Sequence, residues 1–505
     1  MSESYLRNQP DILEVISNLS NDAVFTPPRL VNEVLNLLPR EVWTDPGLRW
    51  LDPGSKTGVF PREITKRLMA GLAEAILDER ERLSHILQNM VFAIATEEIT
   101  GMMTRRSLYC SKHASSAASV VQFENDRGNV WQEPVLHRWD GDGKCAECKG
   151  WRNQLEKPGR DNKAYGFIHS DGRVQIMKEI DMNFDIIVGN PPYQMDAESG
   201  NRTMPIYNVF VEEAKKLNPR FIAFIIPSRW MAGGLGLSEF RSSMLQDRRV
   251  RKLTDYPNAG ELFPGVEIKG GACYFLWDRD NEGECEVTTV RGGDVSGPIT
   301  RDLGEFDVLV RDARSLSILH KVLKKQEPSM AEIMSARTAF GIYSNFGAYS
   351  PTERPGDVKF YATSPKGRVE AWISRAEATL NVEAIDRWKA MVPKAGGDGG
   401  QKLPDIVIGQ PWIGEPPSIC TQSFLFACLD SRAEAESVAS YYRTRFMRFL
   451  VSLRKITQDT TRDSYRWAPQ QSWDRKWTDE ELFALYGLTE AEQAHVMTTI
   501  KEMAP

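Results

Sequence analysis

The sequence predicts an α/β protein built around a doubly wound sheet. Short apolar runs rich in β-branched and aromatic residues have the length and composition of buried strands. These runs are residues 91–95, 184–188, 221–230 (with a polar tip) and 270–277. Segments with apolar residues at helical spacing lie around and between them, such as Leu30, Val31, Val34, Leu35 and Leu38, or Ile64, Leu68 and Leu72. This alternation of strand and helix is typical of a sheet that carries helices on both faces.

Length and composition limit the class of protein. At 505 residues the chain is long enough for two or three domains, each able to bury a core. A hydrophobic content of 41% and a charged content of 26% are those of a globular protein. The net charge of −6 argues against a uniformly basic nucleic-acid binder, but it is compatible with a local basic groove. Seven cysteines and the lack of an 18-residue apolar run predict a cytoplasmic protein that does not enter a membrane.

The most informative stretch follows the second of these apolar runs. Gly189 ends the predicted strand, and Asn190, Pro191, Pro192 and Tyr193 come directly after it. Because proline fixes φ and has no N–H, the Asn190 amide and the Pro191 carbonyl can form a rigid pair of acceptors beside an aromatic ring. Such a pair can bind both hydrogens of an exocyclic amine while Tyr193 stacks on the ring that carries it. An ordinary strand-to-loop turn is the alternative for the Asn-Pro dipeptide alone.

At Asn190, Pro191, Pro192 and Tyr193 the chain resembles the amino-methyltransferases that use S-adenosylmethionine, specifically the adenine-N6 DNA enzymes of restriction–modification systems. The resemblance implies a mixed seven-stranded methyltransferase sheet and a catalytic role for these four residues. It also implies the gamma-type order of motifs, in which the cofactor motifs precede the catalytic loop. It covers nearly the full length of the chain, although it is less specific in the C-terminal half.

Phe25, Thr26 and Pro27 are similar to the most N-terminal motif of this family, whose loop contacts the methionine end of the cofactor. A plain helix N-cap with proline at the first helical position is the alternative for these residues. The resemblance predicts that all three bind S-adenosylmethionine.

Asp52 and Pro53 begin a second motif, which resembles the Asp-Pro-x-x-Gly-x-Gly-x-Phe pattern of the family. A strand, a small-residue loop and a helix at this place form the first βα unit of a nucleotide-binding sheet. The Asp52 carboxylate can receive the α-ammonium of the cofactor, and Gly58 lets the backbone approach closely. Lys56 stands where the family has its first glycine, so either the loop bends without that glycine or Lys56 has a role of its own. A purely structural βα turn is the alternative.

A carboxylate that binds the ribose hydroxyls of the cofactor is expected after the second strand of such a sheet. The usual acidic position of the family aligns near Ala95, so Glu97 is selected only by proximity, and Glu98 is the second choice. The alternative is that both glutamates cap and solvate the next helix.

Residues 105–170 form a cysteine-rich insertion. Cys145 and Cys148 lie in a small-residue knuckle of the kind that wraps a tetrahedral metal. Similarity to a Cys…His…Cys-x-x-Cys insertion in some of these methyltransferases implies Cys110 and His137 as the other two ligands, with His113 as the alternative. The prediction is a structural Zn²⁺ ion that takes no part in methyl transfer, and unligated surface thiols are the remaining alternative.

The C-terminal region also resembles, less specifically, the target-recognition region of the same enzymes. Residues 443–466 are rich in arginine and interleaved with aromatic residues, which predicts a phosphate-tracking surface. The residues selected for DNA contact are Arg443, Arg445, Arg454 and Lys455. A solvated helix face is the alternative.

Two capping boxes near the C-terminus predict that two helices close the chain. They pair Thr478 with Glu481 and Thr489 with Glu492.

These expectations describe an S-adenosylmethionine-dependent methyltransferase domain over residues 1–290 and an α+β DNA-recognition domain with C-terminal helices over residues 291–505. The expected reaction is methyl transfer to N6 of an adenine that is flipped out of double-stranded DNA. The alternatives are transfer to another amino group (cytosine N4, RNA or protein glutamine) and a catalytically dead DNA-specificity subunit. Because no Pro-Asp followed by Glu/Asp-x-Lys was found at suitable spacing, any restriction endonuclease is expected to be a separate protein.

Overall fold

The computed structural model of the chain describes residues 25–132, 135–155, 163–169, 183–195, 204–234, 236–364 and 367–504. The chain divides into two compact units. The first consists of Met1–Trp230, Gly234–Val290 and Gly297–Glu305, and the second of Met231–Gly233, Arg291–Ser296 and Phe306–Pro505. The division differs from the predicted boundary after residue 290 by the short segments 231–233 and 297–305.

The first unit contains a large mixed sheet and several two-stranded ribbons. Its strands are β1 (Trp50–Ser55), β2 (Val91–Ala95), β3 (Val130–Trp131), β4 (Val135–Leu136), β5 (Lys163–Ala164), β6 (Ile186–Gly189), β7 (Gln194–Met195), β8 (Met204–Pro205), β9 (Phe221–Pro227), β10 (Val250–Tyr256), β11 (Ala272–Asp278), β12 (Cys285–Arg291) and β13 (Asp294–Arg301). The large sheet has the order β13-β12-β10-β11-β9-β6-β1-β2-β3. The ribbons pair β4 with β5 and β7 with β8.

Most neighbouring strands of the large sheet are parallel. Pairs among β3, β2, β1, β6 and β9 are parallel, whereas β11 is antiparallel to both β9 and β10. The predicted α/β class with a large mixed sheet is therefore confirmed. The predicted count of seven strands is wrong, because β12 and β13 extend the sheet beyond β10 to nine strands within the described residues.

Helices connect the parallel strands of the first unit. They are α1 (Pro28–Leu35), α2 (Val59–Gly71), α3 (Glu79–His85), α4 (Glu98–Tyr109), α5 (Arg152–Leu155), α6 (Tyr207–Lys216) and α7 (Ser238–Gln246). Helix α1 begins with proline at its first position, where the missing N–H removes no helical hydrogen bond, and it buries the predicted apolar face. The residues of that face inside the helix are Leu30, Val31, Val34 and Leu35.

The direction of the strands determines where loops can form a site. Strands β2, β1, β6 and β9 are parallel neighbours, so their carboxyl ends meet along one edge of the sheet. Ligands of open α/β sheets bind at this edge, where the chain leaves one strand for the next helix. The segments that follow these strands are residues 56–58, 96–97, 190–193 and 228–231.

The second unit is α+β and contains two three-stranded sheets with the orders β15-β14-β18 and β17-β16-β19. Its strands are β14 (Asp357–Ser364), β15 (Gly367–Ser374), β16 (Trp388–Pro393), β17 (Trp412–Gly414), β18 (Ser418–Cys420) and β19 (Phe424–Leu429). Its helices are α8 (Leu316–Leu323), α9 (Met330–Ile333), α10 (Arg432–Arg443), α11 (Arg445–Ser452), α12 (Asp479–Leu485) and α13 (Glu490–Thr499). The last two helices begin at the two predicted capping boxes, which are both formed.

Within the described parts of the chain, no helix combines the length and the apolar character that crossing a bilayer would require.

Candidate functional site

The loop after β6 buries Asn190, Pro191, Pro192 and Tyr193 at the carboxyl edge of the sheet. The Asn190 Nδ2 atom donates a hydrogen bond to Thr26 Oγ1 over 2.9 Å. Thr26 belongs to the segment that leads into α1, so this bond joins the first predicted motif to the catalytic loop. It also fixes which end of the carboxamide faces Thr26.

Two glycines allow the end of β1 to approach the end of β6 and the loop that follows it. A Cβ atom at Gly54 would lie 3.2 Å from Pro191 Cα, and a Cβ atom at Gly189 would lie only 2.6 Å from Asp52 Oδ1. The second distance is shorter than any normal contact, so a larger residue at Gly189 would displace the Asp52 carboxylate. The Asp-Pro motif and the Asn-Pro-Pro-Tyr motif are therefore in direct contact.

Asp52 and Asn190 line a common cavity that is partly open to solvent. Its lining residues are Phe25, Thr26, Asp52, Gly54, Lys56, Thr57, Gly58, Val59, Phe60 and Asn190. The cavity thus combines an acid, a base, hydroxyl and amide groups and two aromatic rings. This set of groups suits a small polar ligand with a flat ring better than a purely apolar one.

Asp52 is the buried acid of this cavity. Burial raises the pKa of its carboxyl group from an ordinary 3.8 to about 7, while hydrogen bonds from Ser55 and Gly54 and the charge of Lys56 act in the opposite direction. The carboxyl group is therefore close to half ionised at neutral pH. A cationic group bound next to it would favour the ionised form.

Gly58 ends the loop and caps α2 in a left-handed conformation with a φ of 75°. A Cβ atom there would lie 2.9 Å from Thr104 Cα, so both conformation and space require glycine. Gly58, Val59 and Phe60 place the N-terminus of α2 at the cavity wall. The free amides of this terminus favour negative charge on a ligand.

Four of the seven residues predicted to bind the cofactor line the cavity, namely Phe25, Thr26, Asp52 and Gly58. Pro27 is the N-cap of α1 and Pro53 lies within β1, and neither belongs to the lining described above. Each of these prolines is bonded directly in the chain to a residue that does line the cavity.

Glu97 lies outside the lining of the cavity. It is the exposed N-cap residue of α4 and forms a capping box with Thr100, whose hydroxyl accepts from the Glu97 amide over 2.9 Å. The helix-capping alternative therefore accounts for its geometry. Because Glu97 follows β2, the neighbour of β1, its contact with a ribose stays a prediction.

Tyr193 presents a neutral phenol beside Asn190. Burial raises its pKa well above the usual value, the nearby Cys273 raises it further, and the neighbouring Asn190 side chain acts in the opposite direction. The Lys56 Nζ atom lies 5.9 Å from the centre of the Tyr193 ring. Lys56, the residue that departs from the family motif, thus lies beside both the cavity and the loop that is predicted to be catalytic.

Four metal-ligating side chains converge in the cysteine-rich insertion, namely His137, Cys145, Cys148 and His169. All are buried, and their ligand atoms lie within 4.8 Å of one another. Cys148 Sγ is 3.4 Å from His137 Nδ1, and Cys145 Sγ is 3.7 Å from His169 Nε2. Tetrahedral zinc with Zn–S near 2.3 Å and Zn–N near 2.0 Å places neighbouring ligand atoms roughly 3.5 Å apart. The donor types and the spacing therefore fit this ion.

The backbone of the insertion explains this convergence. The Cys145 amide donates to Gly150 O over 2.8 Å, which closes the knuckle. The pairing of β4 with β5 brings the segments before His137 and His169 together. The His169 Nδ1 atom lies 2.8 Å from Tyr165 O, a carbonyl that can only accept, so the Nε2 lone pair faces Cys145.

Cys110 is not part of this cluster, so the predicted ligand set is corrected. It is exposed and ends α4 in a left-handed conformation with a φ of 59°. His113, the other option, lies 3.2 Å from Asp126 and is not a member either. The fourth position belongs to His169, which sequence reasoning missed because its distance along the chain from the knuckle has no characteristic spacing.

The predicted DNA-contacting residues Arg454 and Lys455 are buried, so that part of the prediction is wrong. Arg454 forms ion pairs of 2.7 Å with Asp307 and Asp463. Lys455 donates to the carbonyl of Gly396. Both cations therefore stabilise the interior of the second unit.

The arginine-rich pattern has a structural origin in α11. Arg448, in the middle of the run, is fully buried and donates to backbone carbonyls, including Lys501 O at 2.7 Å. Arg445 pairs with Glu502 at 2.9 Å. Arg443 is half-buried, and its guanidinium group donates a hydrogen bond to Ala439 O at 3.2 Å. Of the four residues predicted to contact DNA, Arg443 therefore has the guanidinium group that is most available to bind an external anion.

Comparison with known proteins identifies relatives of this chain. The family described as Eco57I restriction-modification methylase matches residues 89–263, which include the Asn-Pro-Pro-Tyr loop. An "uncharacterized adenine-specific methylase" of Mycoplasma pneumoniae is 35% identical over 305 residues, which are 55% of this chain and 72% of the relative. The type II methyltransferase M.TthHB8I of Thermus thermophilus is 24% identical over 239 residues, which are 36% of this chain and 54% of that protein.

Solved structures are similar at the level of the fold. A chain of the cryo-electron microscopy structure of a DrdV–DNA complex is 11% identical and matches with a TM-score of 0.50. The match covers 96% of this chain and 58% of that chain, so this chain spans little more than half of the solved one. At this identity the similarity establishes the fold alone.

Proposed function

Because this chain belongs to the family of adenine-specific methylases of restriction–modification systems, we propose that it transfers a methyl group from S-adenosylmethionine to N6 of a flipped adenine in duplex DNA. The observation that carries the proposal is the shared cavity of Asp52 and Asn190, where the end of β1 closely approaches the loop after β6. One loop offers groups for an amino-acid-bearing cofactor, and the other offers acceptors for an exocyclic amine.

When bound, S-adenosylmethionine would supply an electrophilic methyl group, which N6 would accept as the carbon–sulfur bond breaks with its electrons left on sulfur, and one N6 proton would leave to water. Asp52 would hold the α-ammonium of the cofactor, and Phe25, Thr26 and Gly58 would line its place. These residues fit the group, because the cavity offers a buried carboxylate beside a helix N-terminus.

The catalytic loop has to raise the reactivity of a weak nucleophile, since the N6 lone pair is delocalised into the purine. Accepting both N6 hydrogens on the Asn190 amide and the Pro191 carbonyl would favour a tetrahedral nitrogen. The hydrogen bond from Asn190 Nδ2 to Thr26 would orient the carboxamide for this task. Tyr193 would stack on the extruded base and offset part of the unstacking cost of roughly a few kcal/mol.

The proposal is tested by the product. The full chain is incubated with unmethylated duplex DNA and S-adenosylmethionine that carries a deuterated methyl group, and the digested nucleosides are identified by mass spectrometry. We expect labelled N6-methyldeoxyadenosine at a defined site. Labelled N4-methyldeoxycytidine would support the cytosine alternative. DNA binding without any label would support a catalytically dead specificity subunit.

Cofactor affinity is expected to increase with pH, because the pKa of Asp52 is about 7 and the α-ammonium binds the ionised carboxylate better than the neutral acid. Raising the pH from about 6 to about 7.5 ionises the group from roughly a tenth to three quarters, so affinity for S-adenosylhomocysteine should rise about five- to tenfold. Isothermal titration calorimetry measures this change. Asp52→Asn should bind weakly at both values, and a wild-type affinity that falls with pH would contradict the role of Asp52.

We also propose that His137, Cys145, Cys148 and His169 hold a structural Zn²⁺ ion. The support is a closed set of two thiols and two imidazoles, which is typical of structural rather than catalytic zinc. A closed site would order the polar insertion and leave methyl transfer to the cavity residues.

For DNA, the second unit offers Arg443 together with Arg368. The pKa of Arg368 is lowered by burial and by the charge of Arg443, so the two cations are close enough to repel each other. The Arg368 guanidinium also stacks over Trp412, with 4.2 Å between them. A phosphate between such cations would relieve their repulsion, and we propose this pair as a backbone contact.

A further inference from the structure

Lys56 occupies the position of a family glycine, yet the backbone there does not require glycine. Lys56 is outside the left-handed region, which is taken in this loop by Gly58 with a φ of 75°. What distinguishes this chain is therefore the side chain at position 56. That side chain is buried and lines the same cavity as Asp52 and Asn190. A buried ammonium is costly unless a partner of opposite charge compensates it.

The cavity wall carries one acidic and one basic side chain. Among the lining residues that the structure describes, Asp52 and Lys56 are the only acid and the only base. Burial raises the pKa of Asp52 to about 7 and the charge of Lys56 opposes this increase, so the two groups act on each other electrostatically. A cavity with one negative and one positive pole is complementary to a ligand that has both charges, a few ångströms apart.

The free α-amino acid group has this arrangement, because it bears an ammonium and a carboxylate on one carbon. We propose that Lys56 binds the α-carboxylate of the cofactor's methionine portion, opposite the α-ammonium held by Asp52. The inference rests on the proposed function. It assigns the α-carboxylate to the Lys56 side chain, whereas without Lys56 only the backbone amides of the loop would bind this group. A lysine side chain can reach such a carboxylate without a close approach of the backbone.

The position of Lys56 beside Tyr193 defines the competing assignment. Because its Nζ atom is 5.9 Å from the ring, Lys56 could instead act on the target base through Tyr193. The charge pair with Asp52 favours the cofactor, since an adenine base carries no negative charge to compensate a buried ammonium.

The test measures binding of two ligands by isothermal titration calorimetry with the full chain. One ligand is S-adenosylhomocysteine, and the other is its decarboxylated analogue, which keeps the ammonium and lacks the carboxylate. Because the charge of Lys56 lowers the pKa of Asp52, the titrations are run at about pH 8.5, well above the pKa of Asp52. Under these conditions Lys56→Met should weaken binding of S-adenosylhomocysteine about ten- to a hundredfold, as expected for a lost charge-assisted hydrogen bond, and should change binding of the analogue by less than about twofold. Lys56→Arg should restore most of the loss.

Lys66→Met serves as the matched control, because Lys66 lies on α2, is largely exposed and pairs with Glu63 outside the cavity. It should leave both affinities unchanged. Equal weakening of both ligands by Lys56→Met would mean a structural role and overturn the inference. An unchanged affinity for S-adenosylhomocysteine with weaker DNA binding would assign Lys56 to the base and also overturn it. A wild-type chain that binds neither ligand would overturn the methyltransferase proposal itself, so the two failures are distinguishable.

Discussion

Asn190→Ala is expected to reduce methyl transfer to adenine by at least about a hundredfold, because removing one preorganised hydrogen-bonding group from a reaction centre typically has an effect of this size. The variant loses one of the two acceptors proposed for the N6 hydrogens, and it also loses the hydrogen bond to Thr26. Affinity for S-adenosylhomocysteine should stay within about threefold of wild type, since Asp52 and the α2 terminus are retained. Transfer of labelled methyl groups and calorimetry measure the two quantities.

Asn281→Ala is the control for this substitution, because Asn281 is exposed in the connection between β11 and β12. It should transfer methyl groups at the wild-type rate. A thermal unfolding curve establishes whether Asn190→Ala folds, and we expect a loss of stability near 1 kcal/mol from the broken hydrogen bond. Full activity in a folded Asn190→Ala protein would exclude this loop as the reaction centre.

Removal of a single cluster ligand is expected to abolish zinc binding. The wild-type chain should contain about one zinc ion, and Cys145→Ser, Cys148→Ser and His169→Ala should each reduce this content to below about a tenth, because a tetrahedral structural site needs all four ligands. Elemental analysis of the purified variants measures the metal. The insertion should also become sensitive to proteolysis, since folding of such a segment depends on the bound ion.

Cys110→Ser distinguishes the ligand set found in the structure, which includes His169, from the ligand set predicted from sequence, which includes Cys110. Cys110 is an exposed thiol outside the cluster, so this variant should keep its zinc and its resistance to protease. Loss of zinc in Cys110→Ser, together with full zinc in His169→Ala, would reverse the assignment of the fourth ligand. Wild-type protein that is free of metal and fully resistant to protease would exclude a zinc site.

Local patterns predicted much of the fold. The run 91–95 is β2. The predicted run 221–230 begins with β9 but extends three residues beyond it, and the predicted run 270–277 begins two residues before β11 and ends one residue short of it. The two capping boxes start α12 and α13 because a cap depends only on residues three positions apart. The added strands β12 and β13 were missed, since more than half of their residues are exposed or half-buried and they lack the continuous apolar runs of the central strands.

The cavity was predicted in part. Phe25, Thr26, Asp52, Gly58 and Asn190 were selected from separate motifs, and the parallel order of β1 and β6 brings them together. The side chain of Lys56 could not be located from its position in the motif. Its contact with both the cavity and Tyr193 depends on the packing of two loops from different strands.

The sequence by itself determined the α/β class and the order of the motifs, and it singled out the loop after β6 that we propose to be catalytic, because these depend on short-range spacing and on the chemistry of neighbouring residues. Only the tertiary structure decided that His169 rather than Cys110 joins the cluster of potential metal ligands, and that Arg454 and Lys455 are interior ion-pairing and hydrogen-bonding groups. The physical reason is the same in both cases. Burial and ligand convergence are set by contacts between segments far apart in the chain, and a charged or metal-ligating residue has the same local signature whether its partner is another side chain, a metal ion or DNA.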